Sequence, residues 1–131
     1  MAGEKAPAPV VLVVDDETLI RWSLNEGLTD SGYAVRLAAN GAEARTALAA
    51  FTGQPLVVVL DLRLPDVADL SLLREIRAAR PDVPVIMMTA HGSVEDSKHA
   101  LALGAVQFVG KPFDVNEMVR LVDAAWQRGT S

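Results

Sequence analysis

Leu56-Val57-Val58-Val59-Leu60-Asp61 is the stretch whose pattern sets the fold class. Five apolar residues follow one another without a polar break, and an acid ends the run. A strand with one wet face alternates apolar and polar residues. An unbroken run fits a strand buried on both faces, as in a parallel sheet covered by helices. Four further short runs are Val10–Val14, Ala34–Ala38, Val83–Met88 and Val106–Val109. Ala34–Ala38, with Arg36 at its centre, breaks the apolar pattern, and Val106–Val109 carries Gln107. Each run precedes a segment of helical character. Five such units in 131 residues give about 26 residues per unit, close to the minimum for a strand–helix–strand repeat. The class is α/β, in one domain.

The helices carry their own boundaries. The first is expected over Thr18–Ser31, with Ile20, Leu24 and Leu28 as its buried stripe and Gly32 as its stop. The second covers Gly41–Phe51, opened by Asn40 or Gly41, and the third Ala68–Ala79, ending before Pro81. The fourth starts at Ser93, with Asp96 completing a weak capping box, and ends at Gly104; its thin stripe is Val94 and Leu101. The fifth opens on Asp114, with Glu117 three residues on and Phe113 stapled to Met118. Its stripe is Val115, Met118, Val119, Val122 and Trp126. Residues 1–9 form a proline-containing lead-in, residues 10–127 the domain, and residues 128–131 a polar tail.

Composition narrows the function. Half the residues are hydrophobic and 22% are charged, the balance of a folded globular chain. The net charge of -5 argues against direct binding of a nucleic-acid backbone, which needs a basic face. No cysteine is present, so disulfides, thiolate zinc sites and cysteine nucleophiles are excluded, and two histidines do not make a multi-histidine metal site. No apolar run approaches the roughly 18 residues of a membrane span. The expected location is the cytoplasm.

Ligands of open α/β sheets bind beyond the carboxyl ends of the strands. At that end the first strand delivers Asp15 and Asp16, the third Asp61, the fourth Thr89, and the fifth Lys111 followed by Pro112. Any one of these has an ordinary reading as a turn former, a cap or a solvated lysine. Together they are three carboxylates, a hydroxyl and an ammonium from four separate segments. Two carboxylates about 4 Å apart repel by roughly 4 kcal/mol at an effective dielectric of 20, so such a cluster raises a pKa or takes a cation. Mg2+ takes one or two carboxylates and a phosphoryl group. Lys111 and Thr89 can face phosphoryl oxygens. Asp61, alone on its strand, is the candidate nucleophile, and Asp15 with Asp16 the candidate metal pair.

Asp15-Asp16 after VVLVV, Asp61 in VVVLDLRLPD, Thr89-Ala90 after VIMM, and Lys111-Pro112-Phe113 after GAVQFVG resemble the receiver domain of two-component response regulators. The resemblance covers about residues 9–127. It implies a flavodoxin-like (βα)5 three-layer sandwich, its parallel sheet in the order 2-1-3-4-5. It also implies roles. Asp61 is the phosphoacceptor. Asp15 and Asp16 hold Mg2+ with the backbone carbonyl of Arg63. Thr89 and Lys111 meet the phosphoryl group, and the Lys111–Pro112 bond is cis. Phe108 is the aromatic switch residue, its plainer reading being an ordinary residue of the fifth strand. The implied partner is a sensor histidine kinase. The implied output face is the fourth helix, fifth strand and fifth helix, used for a phosphorylation-dependent homodimer, with Lys98, His99, Phe108 and Arg120 upon it. The chain assists its own phosphorylation and dephosphorylation and turns over no separate substrate.

LIRWSLNEGL and TAHGSVED resemble receivers of nitrogen-regulator-type transcription activators. The chain then reads as a stand-alone receiver or as the N-terminal piece of such a regulator. Trp22, about 200° round the helix from Ile20, reads as partial core or as a kinase-docking residue. A departure from the family pattern is Asp69, where Gly is common, and Asp66 lies three residues before it. Both are expected to add negative charge near the site. Arg63 and His91 occupy the positions that tune phosphoryl lifetime.

Three rivals are weaker. A dehalogenase-type phosphatase needs an acid two residues beyond its nucleophile, and Arg63 stands there. A nucleotide- or flavin-binding module needs a glycine-rich first loop, and this one is Asp15-Asp16-Glu17. A receiver-like interaction module that works without phosphorylation remains as the alternative.

Overall fold

A computed structural model describes residues 9–90, 92 and 94–130, with the side chains of 128–130 excepted. Residues 1–8 of the lead-in, His91, and Ser93 with its capping box lie outside the described residues. Among the described residues, five strands and five helices alternate: β1 (Val10–Val14), α1 (Thr18–Asp30), β2 (Ala34–Ala38), α2 (Gly41–Ala50), β3 (Leu56–Asp61), α3 (Ser71–Ala79), β4 (Val85–Thr89), α4 (Val94–Ala102), β5 (Gln107–Gly110) and α5 (Val115–Thr130). The strands form one parallel sheet in the order β2-β1-β3-β4-β5. This is the expected α/β architecture.

The period of two along each strand divides the core between two faces. Leu12 and Val14 point one way, with Val58 and Leu60, onto Ala44 and Ala47 of α2, Leu72, Leu73 and Ile76 of α3, and Ala100 of α4. Val11 and Val13 point the other way, with Val57 and Val59, onto Leu24 and Leu28 of α1 and Met118, Val122 and Ala125 of α5. All six residues of β3 are buried, which is why its sequence shows no alternation. Truncating one such leucine to alanine costs about 2–5 kcal/mol.

Boundaries differ from expectation where local chemistry intervenes. β4 starts at Val85, two residues later than expected: Pro84 has no N–H, and its carbonyl accepts from Val58 N at 3.0 Å. α3 starts at Ser71 because Asp69 Oδ1 accepts from Ser71 N at 2.9 Å. α5 runs to Thr130, through the expected polar tail. Asp114 Oδ1 accepts from Asn116 N at 2.7 Å, one position before the expected partner Glu117.

The expected stripe of α4 is wrong. Val94 is 70% exposed and Leu101 49%; Ala100 is the buried residue of this helix. Val94 and Leu101 lie seven residues apart on one side, and the small Ala100, about 100° round the helix from Leu101, lets its own side sit close to the sheet. Trp22 is 59% exposed and Leu19 69%, so the partial-core reading of Trp22 fails.

Candidate functional site

The carboxyl edge of the sheet brings the candidate residues together. Strand pairing alone sets the frame: β3 and β4 place Asp61 opposite Met88, and β4 and β5 place Thr89 opposite Gly110. Lys111 N donates to Thr89 O at 2.7 Å, so the lysine leaves the sheet from a fixed point. The Lys111–Pro112 peptide bond is cis.

Lys111 is the hub of the charge cluster. Its Nζ lies 2.7 Å from Asp15 Oδ2, 2.9 Å from Glu17 Oε1 and 3.3 Å from Asp61 Oδ2. Asp15 is fully buried, Asp61 is 6% exposed and Thr89 2%. Burial pulls the Lys111 ammonium down, but the close carboxylates of Asp15 and Glu17 and the field of Asp61 outweigh it, and its pKa stands above the ordinary lysine value. Asp61 moves the other way to an ordinary acid. Burial and the charge of Asp15 raise its pKa, against the smaller pull of Lys111 and the Arg63 N–H at 3.4 Å. One cation therefore faces more acid than it neutralises.

A backbone amide and a guanidinium hold Asp15. Its Oδ1 accepts from Glu17 N at 2.8 Å, and its carbonyl accepts from Arg21 Nη1 at 2.7 Å. Its Oδ2 is buried and faces the Lys111 ammonium at 2.7 Å. Asp15, Asp16 and Asp61 each offer a carboxylate oxygen within 4.8 Å of the others, with Asp16 exposed. Three clustered carboxylates beside a single ammonium make an all-oxygen donor set that suits a hard divalent cation.

Asp66 and Asp69 do not add charge to this cluster as expected. Asp66 reaches α2 instead, where Oδ1 accepts from Gly41 N at 2.7 Å and Oδ2 from Ala42 N at 3.0 Å. Asn40 Oδ1 takes the Glu43 N–H at 2.8 Å, so the first three amides of α2 are all bonded. Asp69 Oδ1 takes the Ser71 amide in the turn before α3, whose N-cap is Leu70, and among the described residues only glycines have positive φ. The Gly-to-Asp departure therefore requires no left-handed backbone.

Phe108 is half-buried on β5 and borders an open depression of about 350 Å³ lined also by Thr89, Gly92, Val94 and Ser97. Glu17 and Arg21 are supports of the site to which sequence reasoning gave no role, and Asp66 is one whose role it misassigned. Glu17 follows the acid pair directly and was the one findable signal. The reach of Asp66 across 25 residues leaves no local pattern.

Comparison with known protein families matches residues 11–123 to the response regulator receiver domain. The chain belongs to that family. This receiver domain is 41% identical over 116 residues to the DNA-binding transcriptional regulator NtrC of Escherichia coli K12, covering 88% of this chain and 24% of that protein. It thus spans about a quarter of the length of that relative. Among solved structures, it superposes on the receiver domain of NtrX from Brucella abortus with a TM-score of 0.80 and 34% identity, covering 89% of this chain and 98% of that one. A CheY-like receiver domain protein from Methanospirillum hungatei gives a TM-score of 0.84 at 28% identity, covering 94% and 97%. Among the described residues, no helix of this receiver is long and apolar enough to cross a membrane.

Proposed function

We propose that Asp61 accepts a phosphoryl group from a sensor histidine kinase. The observation that carries this is the seat of Asp61: nearly buried at the end of β3, with Lys111 Nζ at 3.3 Å and two further carboxylates sharing its oxygen cluster. A carboxylate oxygen of Asp61 forms the new O–P bond. The P–N bond of the donor phosphohistidine breaks, and its electron pair leaves with the imidazole nitrogen, which takes a proton from water. Asp15, Asp16 and Asp61 would hold Mg2+, with the Arg63 carbonyl as a further ligand. When bound, that ion offsets the charge of the phosphoryl oxygens. Lys111 neutralises charge on the opposite side, and Thr89 donates its hydroxyl to a phosphoryl oxygen.

The added charge of about -1.5 to -2 then reorganises the groups at the strand ends. Thr89 turns toward the phosphate and Phe108 moves inward. The α4–β5–α5 face, with exposed Lys98, His99 and Arg120, changes and pairs with a second copy. The exposed Trp22 and Leu19 on α1 support docking of the kinase there. This reading makes the chain a cytoplasmic switch that catalyses only its own modification and binds no nucleic acid itself. In a longer regulator its output would be transcription.

Intact-mass spectrometry after incubation with acetyl phosphate and Mg2+ tests the reading. One phosphoryl group is expected on the wild type and none on Asp61→Asn or in chelator. A chain that stays unlabelled with both acetyl phosphate and a phosphorylated kinase would leave the phosphorylation-independent interaction module in its place.

A further inference from the structure

Gly92 stands between Thr89 and Phe108. A Cβ built at this position would lie 2.4 Å from Thr89 Cγ2, 2.6 Å from Phe108 Cε1 and 3.1 Å from Phe108 Cζ. Carbon atoms do not approach so closely, so no side chain fits at 92 while both neighbours keep their places. The two neighbours differ in freedom. Thr89 is 2% exposed and pinned in β4, which pairs on both sides. Phe108 is half-buried, on the edge strand β5, and borders the open depression.

We propose that Gly92 is a positioning residue that couples Thr89 to Phe108. The space a Cβ would take at 92 lies within 2.6 Å of both the threonine methyl and the ring edge, so the two groups stand close together over the glycine and a shift of either is felt by the other. A methyl group at 92 wedges the pair apart, and the ring, having the open side, gives way. The coupling thus depends on the absence of a side chain. The inference rests on the reading of Thr89 and Phe108 given above, as the pair that links the phosphoryl site to the output face. Gly110 supplies a control. It pairs with Thr89 across the strands, yet a Cβ there meets nothing within 4 Å.

The test uses the whole chain labelled with 4-fluorophenylalanine, without phosphorylation. Its three phenylalanines give three fluorine resonances, and Phe108→Leu assigns one of them. Gly92→Ala is expected to shift the Phe108 resonance, and Gly110→Ala is not. Unfolding midpoints of Gly92→Ala are then compared in the wild-type, Phe108→Ala and Thr89→Ser backgrounds. Thr89→Ser removes Cγ2 and keeps the hydroxyl. The midpoint loss caused by Gly92→Ala should shrink in both backgrounds, because each removes one of the two clashing groups. Should Gly92→Ala alone fail to fold, recovery of folding in the Phe108→Ala background supports the coupling, and its absence overturns it. An unmoved Phe108 resonance, or an equal loss in all three backgrounds, also overturns it. None of these readouts needs a phosphoryl group, so failure of Asp61 to label is a separate result.

Discussion

Lys111 Nζ lies 3.3 Å from Asp61 Oδ2, and both side chains are less than a tenth exposed. The pair is not isolated: the same ammonium faces Asp15 and Glu17. With its pKa raised, the lysine contributes stability that is fully present below the ordinary lysine value and lost as pH rises through the higher folded value. At neutral pH the whole contribution is in place.

Lys111→Met removes that cation and leaves buried acids facing one another. In chelator at neutral pH the variant should lose about 2 kcal/mol of unfolding free energy, measured by urea titration. Acetyl phosphate labelling should slow about tenfold or more. A variant as stable as the wild type would mean that the three ion pairs contribute nothing net.

Asp66→Ala gives the pH signature. Bonds from the Gly41 and Ala42 amides hold the Asp66 carboxyl below the ordinary range. A lowered folded pKa contributes stability that is present above the unfolded value and lost as pH falls through the folded one. The wild type should therefore melt above Asp66→Ala at pH 6, and the gap should close in acid. Hydrogen exchange at Gly41 and Ala42 should quicken in the variant. A gap that persists unchanged in acid would contradict the assignment.

Gly41→Ala tests the same loop from the other side. A Cβ at 41 would lie 2.7 Å from Val67 Cγ2 and 3.1 Å from Asp66 Oδ1. The expected cost is about 1–3 kcal/mol by denaturant titration, partly recovered by Val67→Ala. A neutral substitution would show that the loop between β3 and α3 is loosely held.

Trp22→Ala should leave stability within about 0.5 kcal/mol, since the side chain is 59% exposed. Labelling by acetyl phosphate should also be unchanged, while transfer from a phosphorylated histidine kinase slows. Equal transfer rates would remove Trp22 from the docking surface.

The fold was legible because β3 is buried on both faces, and its unbroken apolar run says so. The site residues were legible because each ends a strand, and parallel strands deliver their ends to one edge. Contacts made across the fold were not. Asp66 lies near Asp61 in sequence and reads as extra charge, yet its carboxylate spans to α2. The two apolar residues of α4 looked like its buried stripe, but seven-residue spacing marks a shared side without saying whether it faces the sheet. The steric role of Gly92 depends on two side chains from different strands, which no sequence period encodes.

The most direct measurement is to locate the modification. After acetyl phosphate and Mg2+, borohydride reduction converts an aspartyl phosphate to homoserine, and peptide mass spectrometry then reads the site. Homoserine is expected at position 61 and aspartate at 15 and 16. Homoserine at 15 or 16 with aspartate intact at 61 would contradict Asp61 as the acceptor.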